Sequence, residues 1–289
     1  MRYLFISCLL LGCLAGAATA ATFTDALGRP VVLPETPARI VSLSPNVTET
    51  LFALEAADKL VAVTDACTWP EEAAQLPKVG QYADPSVEQI LLYRPDLVIA
   101  AADMNRPQLV DRLESLGVPV YVVYPRSVTD TLETIQALGS ITGHHKQADA
   151  IVRDFTDRLE RVVKNTAARP PVTTLICVML EPLVVAGSQT MVGDILNYVG
   201  GRNPVPDKAG SYPTWTMEAL LRLDPEVIII SAHPGQPDPG RWLAAWPQLA
   251  AVRSGRIFEV EADWLHRPSP RLILGIEALA RTLHPDSEW

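Results

Sequence analysis

The residue types that could do chemistry are few and scattered. The five histidines are His144, His145, His233, His266 and His284, and only His266 stands among other polar groups in an expected loop, ADWLHRPSPR. The chain has no G-x-S-x-G, no H-E-x-x-H and no G-x-x-x-x-G-K-[ST], so the common nucleophile, zinc-hydrolase and phosphate-loop signatures are missing. No CxxC or Cys/His spacing suggests zinc. What stands out instead is a set of aromatics near turns: Tyr82, Tyr212, Trp215, Trp264 and Trp69. Such side chains either pack the edges of a lobe or line a cleft and stack on a large flat ligand. Nothing in these residues demands catalysis.

Two of those tyrosines belong to a repeat. KVGQYADPSVEQILLYRPDLVIA begins at Lys78, and KAGSYPTWTMEALLRLDPEVIIIS begins at Lys208. Lys78, Gly80, Tyr82, Glu88 and Pro95 match Lys208, Gly210, Tyr212, Glu218 and Pro225, each offset by 130 residues without a gap. Ser86 and Thr216 precede short helices with Glu88 and Glu218 in the first turn. A single glutamate there usually complements the helix dipole, worth roughly 0.3–1 kcal/mol. Two at equivalent places offer matched negative points on which a two-fold partner with cations could dock. Exposed pairs of that kind would set orientation and encounter rate more than affinity.

The elements that must position these residues read as α/β. TFTDALGRPVVL suggests a hairpin around Asp25 to Arg29. A short strand is expected at Ile40 to Leu43, then a helix capped by Ser44 with Pro45 at its first position. LVAVTD is the next strand. In the repeats, Ile90-Leu91-Leu92 and Leu220-Leu221 supply a buried stripe. Pro95 and Pro225 end the helix. The apolar runs from Leu97 and Val227 suit strands covered on both faces of a parallel sheet. A helix over Pro107 to Ser115 and a strand over Val118 to Val123 continue the alternation. Between the copies, Ala148, Ile151, Val152, Phe155, Leu159, Val162 and Val163 make one apolar stripe on one long helix. A second α/β lobe starts at Val172. The expected organisation is an N-terminal lobe over 21–143, a connecting helix over 144–169 and a C-terminal lobe over 170–289. A ligand cleft between two similar lobes follows, since ligands favour domain interfaces.

Composition narrows the setting. The chain has 289 residues, is 48% hydrophobic and carries a net charge of −9, which fits a packed globular protein and argues against a nucleic-acid partner. Residues 1–20 read as a secretory signal, with Arg2, an apolar stretch and Ala18-Thr19-Ala20 at the cleavage site. An uncleaved anchor and a lipid anchor at Cys13 are the alternatives. The remaining cysteines, Cys67 and Cys177, form either a disulfide or two separate buried thiols.

These residues carry a resemblance. TDALGRPVVLPETPARIVSLSPNVTETLFAL, RPDLVIA, LGVPVYVV and VGGRNPV resemble the periplasmic binding proteins for iron-siderophores, haem and cobalamin, over essentially the whole mature chain. The resemblance implies two α/β lobes bridged by a long helix, serving an ABC importer whose permease dimer sits in the inner membrane. EADWLHRPSPRLILGIEAL is similar to the cobalamin-binding members. By that likeness Asp263, Trp264 and Arg267 would touch the ligand's edge amides or nucleotide loop. Tyr82 and Tyr212 fall at cleft aromatic positions, and Glu88 and Glu218 at permease-docking glutamates. Ala66 and Ala101 stand where two further aromatics occur, so the particular corrinoid stays open. The expected ligand set is Tyr82, Tyr212, Trp215, Asp263, Trp264, His266 and Arg267, with no metal site of the protein's own. A ferric siderophore would instead need a basic cleft, to which Arg106, Arg126, Arg267 and Arg271 could contribute. Haem would need an axial ligand, for which His266 and Tyr212 are the candidates. The resemblance thus implies a monomeric periplasmic carrier of cobalamin or a related corrinoid, without enzymatic activity.

Overall fold

The computed structural model describes residues 20–233, 235, 237–287 and 289. The expected signal segment therefore lies, but for Ala20, outside the described residues. The hairpin is present as β1 (Ala20–Thr24) and β2 (Pro30–Pro34), antiparallel with Ala21 opposite Leu33. Its turn is tied by Asp25, whose carboxylate accepts from the backbone of Leu27 and Arg29 and pairs with the Arg29 guanidinium at 2.7 Å.

The N-terminal lobe runs β3 (Ile40–Ser42), α1 (Pro45–Ala53), β4 (Leu60–Val63), α2 (Glu71–Ala74), α3 (Val87–Leu92), β5 (Leu97–Ala101), α4 (Pro107–Ser115) and β6 (Val120–Val123). Its strands form a parallel sheet in the order β4-β3-β5-β6. Alternate residues face opposite layers, as strand geometry requires. Ile40, Leu97 and Ile99 enter one core with Val47 and Leu51 of α1, while Val41, Val98 and Ala100 enter another with Ile90, Val110 and Leu113. Both faces are covered, which is why these strands read as unbroken apolar runs.

Two helices then run back to back, α5 (Val128–Thr142) and α6 (His145–Thr166). The second is the expected connecting helix. Its Ala148, Ile151 and Val152 pack on the N-terminal core, and its Phe155, Leu159 and Val162 on the C-terminal one. Val163, expected in the stripe, is 39% exposed at its margin. The first helix had no counterpart in the sequence reading. Its Ile135, Leu138 and Ile141 belong to the N-terminal core and its Val128 to the C-terminal core, so it also spans both lobes.

The C-terminal lobe contains β7 (Val172–Met179), β8 (Val184–Val185), α7 (Met191–Tyr198), β9 (Gly201–Arg202), α8 (Met217–Leu223), β10 (Val227–Ala232), α9 (Pro239–Ala244), α10 (Ala250–Arg253), β11 (Ile257–Glu261), α11 (Ala262–His266) and α12 (Leu272–Leu283). The sheet order is β11-β10-β7-β8, with β9 also on β7 and only β8 antiparallel. Val227 and Ile229 face the layer of α7 and α12; Ile228 and Ile230 face the opposite one. Cys67 and Cys177 are both free and buried, in the cores of different lobes. Burial pushes the Cys177 thiol up to about 12.

The repeat is structural down to the backbone. Gly80 and Gly210 take φ of 106° and 91°, a region open to glycine. Ser86 accepts from the Gln89 backbone N–H and Thr216 from that of Ala219, each closing a helix start. Arg94 and Asp224, each ahead of the helix-ending proline, have left-handed backbone with φ of 44° and 42°. Two local expectations change. Leu92 is 70% exposed, because successive residues on a helix point about 100° apart and α3 turns only Ile90 and Leu91 inward. Ser44 holds the N-cap position of α1 without a side-chain cap, since its hydroxyl points to Asn46 and Tyr82 instead.

Candidate ligand site between the lobes

The parallel strands deliver their carboxyl ends toward one side of each lobe, where open α/β sheets present their ligands. On the N-terminal side, Tyr82 is pinned twice. Its phenol lies 3.0 Å from Ser44 Oγ, and its carbonyl accepts from Asn105 Nδ2 at 2.9 Å. Asn105, itself buried, accepts from the Ala101 N–H at 2.8 Å, so the end of β5 holds Tyr82 in place. Ala101 is 2% exposed and belongs to the lobe core.

Asp103 is exposed on the loop after β5. Burial raises the Tyr82 and Tyr212 phenols, and the Asp103 charge adds to the rise at each, so one N-terminal-lobe carboxylate acts on a phenol from either lobe. Partial enclosure raises the Asp103 carboxyl as well. Tyr212 bonds Thr190, the N-cap of α7, and remains 49% exposed. Trp215 does not stand beside it in the same way. It packs on the outer C-terminal core that contains Leu183 and Leu220, and its backbone N–H donates to the Leu183 carbonyl at 2.8 Å.

The remaining predicted residues lie on α11 and the turn after it. That helix is short and sits close on α12 because Gly275 has no side chain: a Cβ there would lie 2.3 Å from the Trp264 carbonyl oxygen. Leu265 is buried in the core and leaves Asp263, Trp264 and His266 half-buried around it. His266 Nε2 lies 2.8 Å from the buried Ser231 hydroxyl at the end of β10. Burial, helped by the nearby His233, lowers the His266 imidazole to about 4, so the ring is neutral at neutral pH.

That depression has a sign. Between the ordinary value near 6.5 and about 4, the unfolded chain takes a proton that folded His266 refuses. Stability is full above that window and is lost as pH falls through it. Thermal melts from pH 7 to pH 4 should fall more steeply for the wild type than for His266→Gln; parallel curves would remove the effect from this residue.

Arg267 makes the arrangement that sequence reasoning missed. Its Nε pairs with Asp263 at 2.9 Å, and its Nη1 reaches across to Glu49 of α1 at 3.1 Å. Arg271 reaches the same Glu49 oxygen at 3.3 Å, and the buried Ser269 hydroxyl donates to the other at 2.6 Å. The Glu49 side chain is 2% exposed. Arg271 also lies over the Trp69 ring, 4.4 Å from its centre. Two arginines of the C-terminal lobe thus face two carboxylates, one from each lobe. The available signal was an acid inside the otherwise apolar TETLFAL stretch and two arginines bracketing P-S-P. Of the other arginines, Arg126 stacks on Tyr124 at 5.0 Å, and Arg106 is exposed ahead of α4.

Glu88 and Glu218 are exposed, outside this arrangement. Hydrogen bonds from their own backbone N–H groups and from Ser86 and Thr216 hold both carboxyls below the ordinary value. They are anions fixed at equivalent points of the two lobes.

Two α/β lobes, a long helix packed on both of their cores and an ion-pair group that joins them define the architecture. Residues 40–263 match the periplasmic binding protein family, and the chain belongs to it. It is 29% identical to the vitamin B12-binding protein of Vibrio parahaemolyticus over 82% of this chain and 86% of that one. The structure resembles the periplasmic vitamin B12 binding protein of Vibrio cholerae, at 28% identity and a TM-score of 0.78 over 86% of this chain and 97% of the other. It resembles a periplasmic heme binding protein from Pseudomonas aeruginosa to the same degree, at 29% identity and a TM-score of 0.78 over 87% and 94%.

Proposed function

We propose that this protein captures cobalamin or a related corrinoid in the periplasm and delivers it to an ABC importer, acting as a monomer and without chemistry on the ligand. The observation that carries the choice of ligand is the pairing of the cleft arginines. A ferric siderophore or a haem brings carboxylates or other anionic groups that want free cations. Here Arg267 and Arg271 are matched by Glu49 and Asp263, and Asp103 adds a further negative group whose charge acts on both tyrosines. A wall of that kind suits a ligand recognised by flat apolar faces and amide edges. Tyr82, Tyr212 and Trp264 supply the faces, Asp263 and His266 the polar contacts, and Arg267 a hydrogen-bonding edge already neutralised. Trp215 contributes from behind, by holding the segment that carries Tyr212. The likeness to vitamin B12-binding relatives supports the same reading.

The haem reading keeps one observation of its own, the equal likeness to a heme binding protein. A panel separates the two. Ligand-free protein is mixed with cyanocobalamin, haemin or a ferric catecholate, then passed over a desalting column at low and high salt. Retained red corrinoid at both salts is expected. Retained haemin or siderophore that is lost at high salt, with no corrinoid, would reject the proposal, because anionic ligands bind by screened charge.

Glu88 and Glu218 are the points offered to the importer. Replacing both with alanine should leave corrinoid affinity within about twofold, since exposed ion pairs contribute little. Uptake in cells should drop severalfold or more. Unchanged uptake would remove them from docking.

A further inference from the structure

Glu49 is charged, buried and in the wrong place for a lobe that needs only apolar packing. It lies on α1 within the first lobe, yet all its side-chain partners are on the second: Arg267 at 3.1 Å, Arg271 at 3.3 Å and Ser269 at 2.6 Å. Every partner donates, so both carboxylate oxygens are used as acceptors. Burial raises the carboxyl while Ser269, Arg271 and Arg267 pull it back. A buried ion pair is rarely the cheapest way to stabilise a fold, and an apolar contact of similar volume would often do as well. Its presence asks for another role. Arg267 shares its guanidinium between Glu49 and the cleft residue Asp263. A cavity of about 440 Å³ lies against Glu49, Trp69, Glu72 and Arg271.

We propose that Glu49 is a specificity-determining positioning residue, which neutralises the arginines of the opposite lobe and so makes the cleft select uncharged over anionic ligands. This deepens the corrinoid reading and rests on it for the claim that Arg267 borders the ligand. With Glu49 present, the group of Glu49, Asp263, Arg267 and Arg271 is balanced. Without its charge, one positive charge is left over at the cleft edge, in surroundings less screened than bulk water. A unit charge there is enough to shift the binding of an anionic group by about tenfold or more.

The test compares wild type, Glu49→Gln and Arg271→Gln. The probes are cyanocobalamin and its carboxylate derivatives, made by hydrolysing peripheral propionamides, which keep the ring and change only the charge. The ratio of amide to carboxylate affinity should fall about tenfold in Glu49→Gln and rise in Arg271→Gln. The opposite signs keep the idea testable if one variant does not fold. Folded variants with the wild-type ratio would overturn it. A second readout needs no ligand: quenching of tryptophan fluorescence by iodide relative to acrylamide. Trp69 lies against Arg271 of the charge group, so the iodide-to-acrylamide ratio should rise in Glu49→Gln and fall in Arg271→Gln. If wild type binds no corrinoid but these quenching shifts appear, the ligand reading fails and the charge assignment stands. If the quenching ratio is unmoved in folded variants, the charge assignment fails whatever the ligand.

Discussion

Replacing Tyr82 and Trp264 together by alanine is expected to cut corrinoid affinity about a hundredfold, roughly 3 kcal/mol. The two rings stand on opposite lobes, and each is held by its own lobe. Tyr82 is fixed by Ser44 and Asn105, and the Trp264 backbone by the close seat of α11 on Gly275. Rings fixed before the ligand arrives lose little freedom on binding, which is where large truncation effects come from. The single change Tyr82→Phe keeps the ring and loses only the phenol bond to Ser44, so its cost should stay below about tenfold. Titration of the three variants checks this. An affinity that stays within twofold in the double variant would make these aromatics lobe-edge packing and nothing more.

The largest effect on stability is expected at Phe155, in the middle of α6. It is 1% exposed and sits among the C-terminal core residues, on the helix that also carries Ala148 and Ile151 into the N-terminal core. Phe155→Ala should lose about 3–5 kcal/mol, from the lost transfer energy and the cavity left behind. For a chain of this size that is a fall in melting temperature on the order of 10 °C. The neighbouring pair of Arg158 with Glu277, two bonds of 2.8 Å, ties the same helix to α12. It holds the Glu277 carboxyl below its ordinary value, so that contribution is present above pH about 4.5 and is lost on further acidification. A melting temperature within 2 °C of wild type for Phe155→Ala would mean that α6 is a surface strut and the lobes are held by α5 and Glu49 alone.

Much of this was legible in the sequence because it was repeated or periodic. The offset of 130 residues carries over to glycines with positive φ, to side-chain caps at Ser86 and Thr216, and to left-handed Arg94 and Asp224. The central strands β3, β5 and β10 announced themselves as apolar runs because both faces are buried, whereas the two-residue β8 and β9 and the half-exposed β11, IFEVE, did not. The connecting helix was visible from its stripe. Helix α5 was not, because it is buried on several sides. Its sequence, VTDTLETIQALGSIT, mixes threonines and glycine among its core positions, and Thr131 and Thr142 are themselves buried. The site was half legible. Aromatics near turns could be picked out by type, and the Asp263-Trp264 pair by the family resemblance of its stretch. Glu49 could not, since its meaning depends on residues more than 200 positions away that only the fold brings together. Asp103 is similar: one carboxylate in a loop gains significance only when its charge is felt at a phenol of each lobe.

The charge balance of the cleft and the aromatic faces on both lobes lead to one claim, that the ligand is a corrinoid held without covalent or metal bonding to the protein. Calorimetric titration of the unfolded-and-refolded, ligand-free protein with cyanocobalamin tests it most directly. Saturation at one ligand per chain, at micromolar affinity or tighter, about −8 kcal/mol or better, is the predicted result. No heat and no retained colour, with haemin or a ferric siderophore saturating the same protein, would contradict it.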